Sequence, residues 1–318
     1  SLFNRETAQG FSFALLASYA LFLPVAASWI SGVMYFDGWS KAQETRHGRR
    51  NFLWYDWFLN GVTSLFPRNI GAIMVKDIKT FMRDTTQWSQ LFLLLALIVV
   101  YLYNFKVLPL ERSPMPAGTL HILVSFANLA LAGFVLSAVA VRFAFPAISL
   151  EGRAFWILQS APVSLKALVW SKFWLVFCPL LLLGELLIFS SNLLLHVPSW
   201  MMMISLMTVF FMTLGITGIG IGLGALYPKF NYENAAEIPT SFGGAIAMIL
   251  SVAFIAFAVM IEAWPVYQLT VASLRHATIA APTATVLAPS IIAVGALTAS
   301  VVIASLRIGI KSLEQLKD

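Results

Sequence analysis

Charge is what this 318-residue chain has least of: Asp, Glu, Lys and Arg make up 11% of it, against 59% hydrophobic residues and a mean hydropathy of +0.84. A soluble domain of this length cannot bury that much apolar surface, which excludes an ordinary water-soluble enzyme or binding module. Cysteine is almost missing as well. Cys178 stands alone inside an apolar stretch, so there is no disulfide framework and no metal-binding cysteine pair. No G-x-x-x-x-G-K-[ST] sequence occurs, so the chain has no P-loop with which to cradle ATP phosphates. H-E-x-x-H and G-x-S-x-G are missing too, which removes the familiar signatures of catalysis inside a membrane. Histidines number four, and His121, His196 and His276 fall at the ends of apolar stretches, where an interfacial role is expected and a metal site is not.

What the chain does have is a series of long apolar runs separated by short polar breaks. About twenty helical residues cross roughly 30 Å of hydrocarbon, and seven runs meet that length. They cover residues 11 to 35, 88 to 109, 119 to 141, 170 to 195, 199 to 226, 242 to 263 and 286 to 306. The fold class expected is therefore all-α, a polytopic membrane protein with about seven transmembrane helices. Basic residues fall on alternate breaks. One side holds Lys41, Arg46, Arg49, Arg50, Arg68, Lys76, Lys79 and Arg83, then Arg142, Arg153, Lys166 and Lys172, then Lys229, then Arg307, Lys311 and Lys317. The opposite breaks between spans hold only Lys106, Arg112 and Arg275 as basic residues, so the first set is expected to be cytoplasmic. The net charge of +6 sits beside apolar spans, where the positive-inside rule and anionic lipid account for it, and no nucleic-acid partner is expected.

An odd number of spans puts Ser1 on the outer side, yet the sequence does not begin with Met and shows no positively charged n-region followed by a cleavage site. The natural chain is accordingly expected to continue upstream with further spans, the alternative being a trimmed or tagged start.

Two amphipathic stretches follow the first span. In residues 51 to 66, Tyr55, Phe58, Leu59, Val62, Leu65 and Phe66 share one helical face, with Asp56, Asn60 and Thr63 opposite and Trp54 and Trp57 at the rim. A helix this short and polar is expected in the headgroup region. After Pro67, Ile70, Ile73, Met74, Ile78, Phe81 and Met82 form one side of a second helix, with Lys76, Asp77, Lys79, Arg83 and Asp84 around the other. Lipid and protein are both possible cover for these apolar faces.

Three runs carry a family resemblance. KDIKTFMRDTTQWSQL, from Lys76 to Leu91, resembles the charged interfacial helix with an Arg-Asp pair that leads into the first core span of ABC-2 type exporter permeases. FPAISLEGRAFWILQSAPVSLKALVWSKFW, from Phe145 to Trp174, is similar to the segment between their second and third core spans, and YPKFNYENAAEIPTSFGG, from Tyr227 to Gly244, to the loop between the fourth and fifth. The resemblance covers residues 68 to 318, in the right order. It implies a six-span permease core over 68 to 318, preceded by one span at 1 to 35 and a cytoplasmic linker with its interfacial helix at 36 to 67. It implies a subunit of an ATP-driven exporter without enzyme activity of its own, in the bacterial cytoplasmic (inner) membrane. The implied partners are an ABC ATPase subunit carrying ATP and Mg, membrane lipid, and either an upstream half of the same permease or a second copy. No cofactor is expected on this chain.

Within the second run, Pro146 forbids continuous helix, Glu151, Gly152 and Arg153 precede the apolar cluster Phe155, Trp156, Ile157 and Leu158, and Pro162 ends it. A short helix is expected, with Glu151 favoured near its N-terminus by the helix dipole. Aromatic bulk beside charge suits an ATPase-docking knob formed by Glu151, Gly152, Arg153, Phe155 and Trp156. The alternative is an anchor that touches lipid headgroups only.

Ionisable and polar groups inside spans are costly in hydrocarbon and usually face the bundle interior. Glu185, thirteen residues after Lys172, lies about 20 Å along its helix. It is read either as part of a translocation path or latch, partnered by Asn128 or Lys106, or as a protonated structural hydrogen-bonder. Glu262, beside Trp264, is expected at the interface. GITGIGIGLGA loosely fits a G-x-G-x-x-A fingerprint through Gly220, Gly222 and Ala225, but no strand precedes it. Gly215, Gly218 and Gly222, three and four residues apart, instead predict a smooth face for close helix packing.

Other classes are an ion-coupled secondary transporter, which needs a coupling-ion site at interrupted helices near the midplane, and a non-transporting membrane scaffold. Sparse midplane charge and few Gly or Pro interruptions weigh against the first.

Overall fold

A computed structural model describes residues 16–29, 31–33, 61, 66–107, 117–160, 164–274 and 282–315. The chain divides into two compact units, Ser1–Trp57 and Phe58–Asp318. In the first, the described residues form one apolar helix, α1, Leu16–Val33. The expected interfacial helix over 51 to 66 lies outside the described residues except for Gly61 and Phe66.

The second unit is helical, with no strand among its described residues. In order come α2 (Arg68–Phe81), α3 (Thr85–Val107), α4 (Ala117–Phe143), two 3-10 segments (Phe145–Ala147 and Ser149–Ala154), α5 (Phe155–Ser160), α6 (Leu165–Leu194), α7 (Ser199–Leu226), a 3-10 turn (Ala235–Glu237), α8 (Phe242–Leu274) and α9 (Pro282–Gln315). Among the described residues, six helices are long and apolar enough to cross a membrane, the mark of a multi-pass membrane protein. They are α1 and five helices of the second unit. The seventh expected span falls on α3, whose apolar stretch Gln87–Tyr103 is shorter than these six.

Several helices outrun the lengths expected of them. α8 was expected to stop at residue 263, yet it continues through Pro265 to Leu274, and α9 runs from Pro282 through Pro289 to Gln315. A proline removes one backbone hydrogen bond, which a helix supported by its neighbours tolerates.

The core is organised around α7. It packs against α4, α6, α8 and α9, and the segment after α4 also closes on it. Glycine makes this approach possible. A Cβ on Gly222 would lie 2.5 Å from the Ser305 carbonyl oxygen of α9, and one on Gly224 would lie 2.2 Å from the carbonyl oxygen of Phe145. Both obstacles are backbone, so no rotamer change could relieve them. The small face read from Gly215, Gly218 and Gly222 is thus occupied: Gly218 faces Val302, and Gly215 faces the ring of Phe254. Phe145, itself fully buried, fills the bend where α4 ends, because Pro146 cannot continue the helix.

Gly222→Ala is expected to destabilise the unit by about 1–3 kcal/mol, the usual cost of overpacking. Gly295→Ala, whose Cβ would meet only the Phe211 ring at 3.4 Å, is expected to leave the melting temperature unchanged. A thermal melt of both proteins in detergent decides it, since equal melts would mean that α7 and α9 can separate without cost.

Candidate functional site

The three runs quoted above, distant in sequence, meet at the end of the bundle that carries the basic residues. Their junction is an alternating cluster of four charges. Lys76 of α2 donates to both carboxylate oxygens of Glu151, at 2.7 and 2.6 Å, and lies 3.2 Å from Asp77. Lys172 of α6 pairs with the same Glu151 carboxylate and sits 2.8 Å from Asp77 Oδ2, near enough for an ion pair although out of line for a hydrogen bond. Each cation thus touches both anions and each anion both cations. The side chains of Lys172, Glu151 and Asp77 are 6%, 9% and 10% exposed, whereas that of Lys76 is 44% exposed. Burial by itself would lower the Lys76 pKa, but its hydrogen bond to Glu151 and the neighbouring carboxylates outweigh it and hold the ammonium above the ordinary lysine range.

Local sequence explains how each member arrives. α2 buries Gly71, Ile73 and Met74 as its apolar periodicity requires, and Asp77 lies on that same buried face rather than on the polar side expected of it. Lys172 reaches it from α6, whose N-terminus is capped by Ser164 accepting from the Ala167 N–H at 3.2 Å. Glu151 lies on the second 3-10 segment, one residue before a kink at Gly152, where φ is +56° and ψ −144°. Only glycine adopts that conformation without strain, so Gly152 turns the chain from the charge cluster into α5.

The third run clasps the second. The Lys229 N–H donates to Ser149 Oγ at 3.0 Å, Tyr232 donates to the Leu150 carbonyl at 3.4 Å, and Phe230 stacks on Phe155 with ring centroids 4.5 Å apart. Burial raises the Tyr232 pKa, and the charges of Asp84 and Glu151 raise it further. Phe155 is consequently 6% exposed, while its neighbours Trp156 and Ile157 are 65% and 51% exposed. Glu151, expected as an accessible part of a docking knob, is instead turned inward and engaged by two lysines. The side chain of Arg153 lies outside those described, as does Pro162. Arg83 is exposed in the turn after α2, and Asp84 accepts from Gln87 at 2.8 Å at the start of α3.

Deeper in the bundle, Asn128 is 2% exposed and joined to Tyr101 of α3 and to Ser191 of α6 at 2.6 Å, with Ser125 bonded to Asn192 at 2.6 Å beside it. Among the described residues, no hydrogen bond joins Asn128 to Glu185, which is half-buried on α6, so the expected partnership is not formed. The Lys106 side chain is not among those described. Glu262, expected at the interface, is buried within the protein: it is 1% exposed, with Thr208 Oγ1 of α7 at 2.6 Å from each carboxyl oxygen. The extra length of α8 places it twelve residues before the helix end. Thr208, Lys172 and Tyr101 were not singled out from the sequence. Among the described residues, no three His, Cys, Asp or Glu side chains gather as a metal site would need.

Residues 4–317 match a family profile described as "Putative ATP-binding cassette". The chain belongs to that family. Comparison with curated proteins and with solved structures found no match. An ATP-binding cassette relationship fits the apolar helices as a membrane protein of an ABC system, and the match takes in the first span together with the later ones.

Lys172→Ala is expected to cost about 3–5 kcal/mol, because it strands two buried carboxylates, whereas Lys76→Ala, more exposed and screened by solvent, is expected to cost at most about 1 kcal/mol. Chemical unfolding of the two variants beside the parent measures the difference. Equal losses would show that the cluster is not organised around Lys172.

Proposed function

We propose that this chain is the membrane-spanning permease subunit of an ATP-driven exporter of the ABC-2 type, driven by an ATPase on a separate chain. The observation that carries the reading is the construction of α5. Trp156 and Ile157 stand exposed, while the adjoining Phe155 is clamped to Phe230 and the preceding Glu151 is tied by charge to α2 and α6. An exposed tryptophan on a rigid base is the form of an interface anchor. A partner that moves Trp156 must move Glu151, and with it the ends of α2 and α6, since breaking a buried ion pair is costly.

In this reading Trp156 and Ile157 contact the ATPase, Phe155, Gly152 and Glu151 hold them in place, and Arg153 lies between. ATP and Mg bind to the partner and not to this chain. The basic end faces the cytoplasm of a bacterial cell, α3 completes a seven-span count, and α1 with the following linker precedes a six-span core. The complementary half of the pathway comes from an upstream half or from a second copy.

Trp156→Ala is expected to weaken ATPase co-purification about 30-fold, equivalent to about 2 kcal/mol, without lowering the melting temperature, whereas Phe155→Ala is expected to lower it. Undiminished ATPase binding by the Trp156 variant would leave α5 as a lipid anchor. Sidedness has its own check. A cysteine at Lys229 should resist a membrane-impermeant thiol reagent in intact cells and one at Pro198 should react; the reverse pattern would put α5 on the wrong side for an ATPase.

A further inference from the structure

The contact between Glu262 and Thr208 contains more short distances than the threonine alone has hydrogens to fill. Thr208 Oγ1 lies 2.6 Å from both Glu262 oxygens and 2.8 Å from the Ile204 carbonyl oxygen. A hydroxyl carries one hydrogen. On the same helix, Ser205, Thr213 and Thr217 each donate that hydrogen to the carbonyl four residues back, at 2.8, 2.8 and 2.7 Å. If Thr208 does likewise, the contact with Glu262 is held by a hydrogen on the carboxyl. If Thr208 instead donates to a carboxylate, its oxygen faces the Ile204 carbonyl with no hydrogen between them, and a full negative charge lies buried among apolar side chains.

Among the described residues, no salt bridge offers that charge a counter-ion. α8 packs against α4, α7 and α9. α7 has no charged residue, and α8 has none besides Glu262. α9 carries Arg307, Lys311 and Glu314 toward its far end, and α4 carries Arg142 in its last turn. Leu287 of α9 and Ile122 of α4 pack with Val266, one turn from Glu262, and Arg307 and Arg142 each lie twenty residues, about 30 Å, further along. His121 is the remaining titratable residue at this end of α4. One turn toward the end of α8, Val266 and Leu269 close over the site with Met201 and Ile204; on the other side Ile255, Ala258, Val209 and Met212 belong to the main core.

We propose that Glu262 is a proton-binding site inside the membrane, holding its proton in a hydrogen bond to Thr208 that latches α8 to α7. Release converts the carboxylic acid to a carboxylate and passes the proton to water, which is possible only when the two helices part. The latch therefore favours the packed arrangement most at low pH, and its contribution falls as pH rises, since the packed state binds the extra proton. This inference is independent of the ATPase reading and stands or falls without it.

Infrared spectra of the intact protein in lipid vesicles test it directly. A protonated-carboxyl carbonyl band should be present in the parent and in the Glu185→Gln and His121→Gln proteins, and lost in Glu262→Gln. In Thr208→Val the band should persist and move to higher frequency, as a carboxyl that has lost its hydrogen bond does. The parent should melt at a lower temperature in mildly alkaline than in mildly acidic buffer, and by more than Glu262→Gln, whose amide keeps a donor without titrating. Spectra that are identical with and without Glu262 would overturn the proton site. A band unmoved by loss of the Thr208 hydroxyl, or matching pH profiles for parent and Glu262→Gln, would overturn the latch.

Discussion

A charge at the edge of an apolar bundle must find its opposite within the protein, because hydrocarbon supplies no water to replace one. The cluster of Lys76, Asp77, Glu151 and Lys172 meets that demand with two cations and two anions in alternation. The buried members matter most, since removing Lys172 leaves buried carboxylates undercompensated, whereas Lys76 is partly screened by solvent. The same demand fixes geometry. An amphipathic helix, a bent 3-10 segment and an apolar helix have no periodic reason to converge, yet sharing one carboxylate holds all three at one end of the bundle.

The helices behind that cluster meet through shape rather than charge. Between apolar helices in lipid there is little hydrophobic drive to associate, so close packing of small residues and internal hydrogen bonds do the work. α7 shows both. Gly222 and Gly224 bring α9 and the bend at Phe145 to backbone contact, and Thr208 reaches across to Glu262. Buried polarity elsewhere follows the same rule, as Asn128 satisfies its amide on Ser191 and Tyr101 rather than on a charged residue.

Much of this was legible in the sequence where the signal was local. The apolar runs marked the long helices, Pro146 marked the bend, and the spacing of Gly215, Gly218 and Gly222 marked a close-packed face. Non-local pairing was not legible. Glu151 was read by its position at the start of a short helix, but its partners lie 21 residues away on α6 and 75 away on α2, and no periodicity connects them. Asp77 was assigned to a polar face for the same reason, because a buried carboxylate makes sense only once Lys172 is beside it. The burial of Glu262 was not legible either: ending α8 at residue 263 leaves the carboxyl at a helix end, whereas the helix continues through Pro265 to Leu274 and Thr208 of α7 covers it.

The contrast between the two acidic sites follows from what surrounds each. Glu151 stands where two lysines can reach it, so it is held as an ion and ties helices by charge. Glu262 has no ion pair among the described residues, and its contact is with the hydroxyl of Thr208. The two sites are also mechanically different. An ion cluster resists any displacement that parts its members, which suits a junction meant to move as one piece. A single hydrogen bond between α7 and α8, closed over by apolar side chains, gives way to water once the helices separate. Because α6 packs on α7 and α7 packs on α8, a displacement carried rigidly through the first site reaches the second through direct helix contacts. The charged end is thus tied by ions, and the two helices at the buried carboxyl by a hydrogen bond.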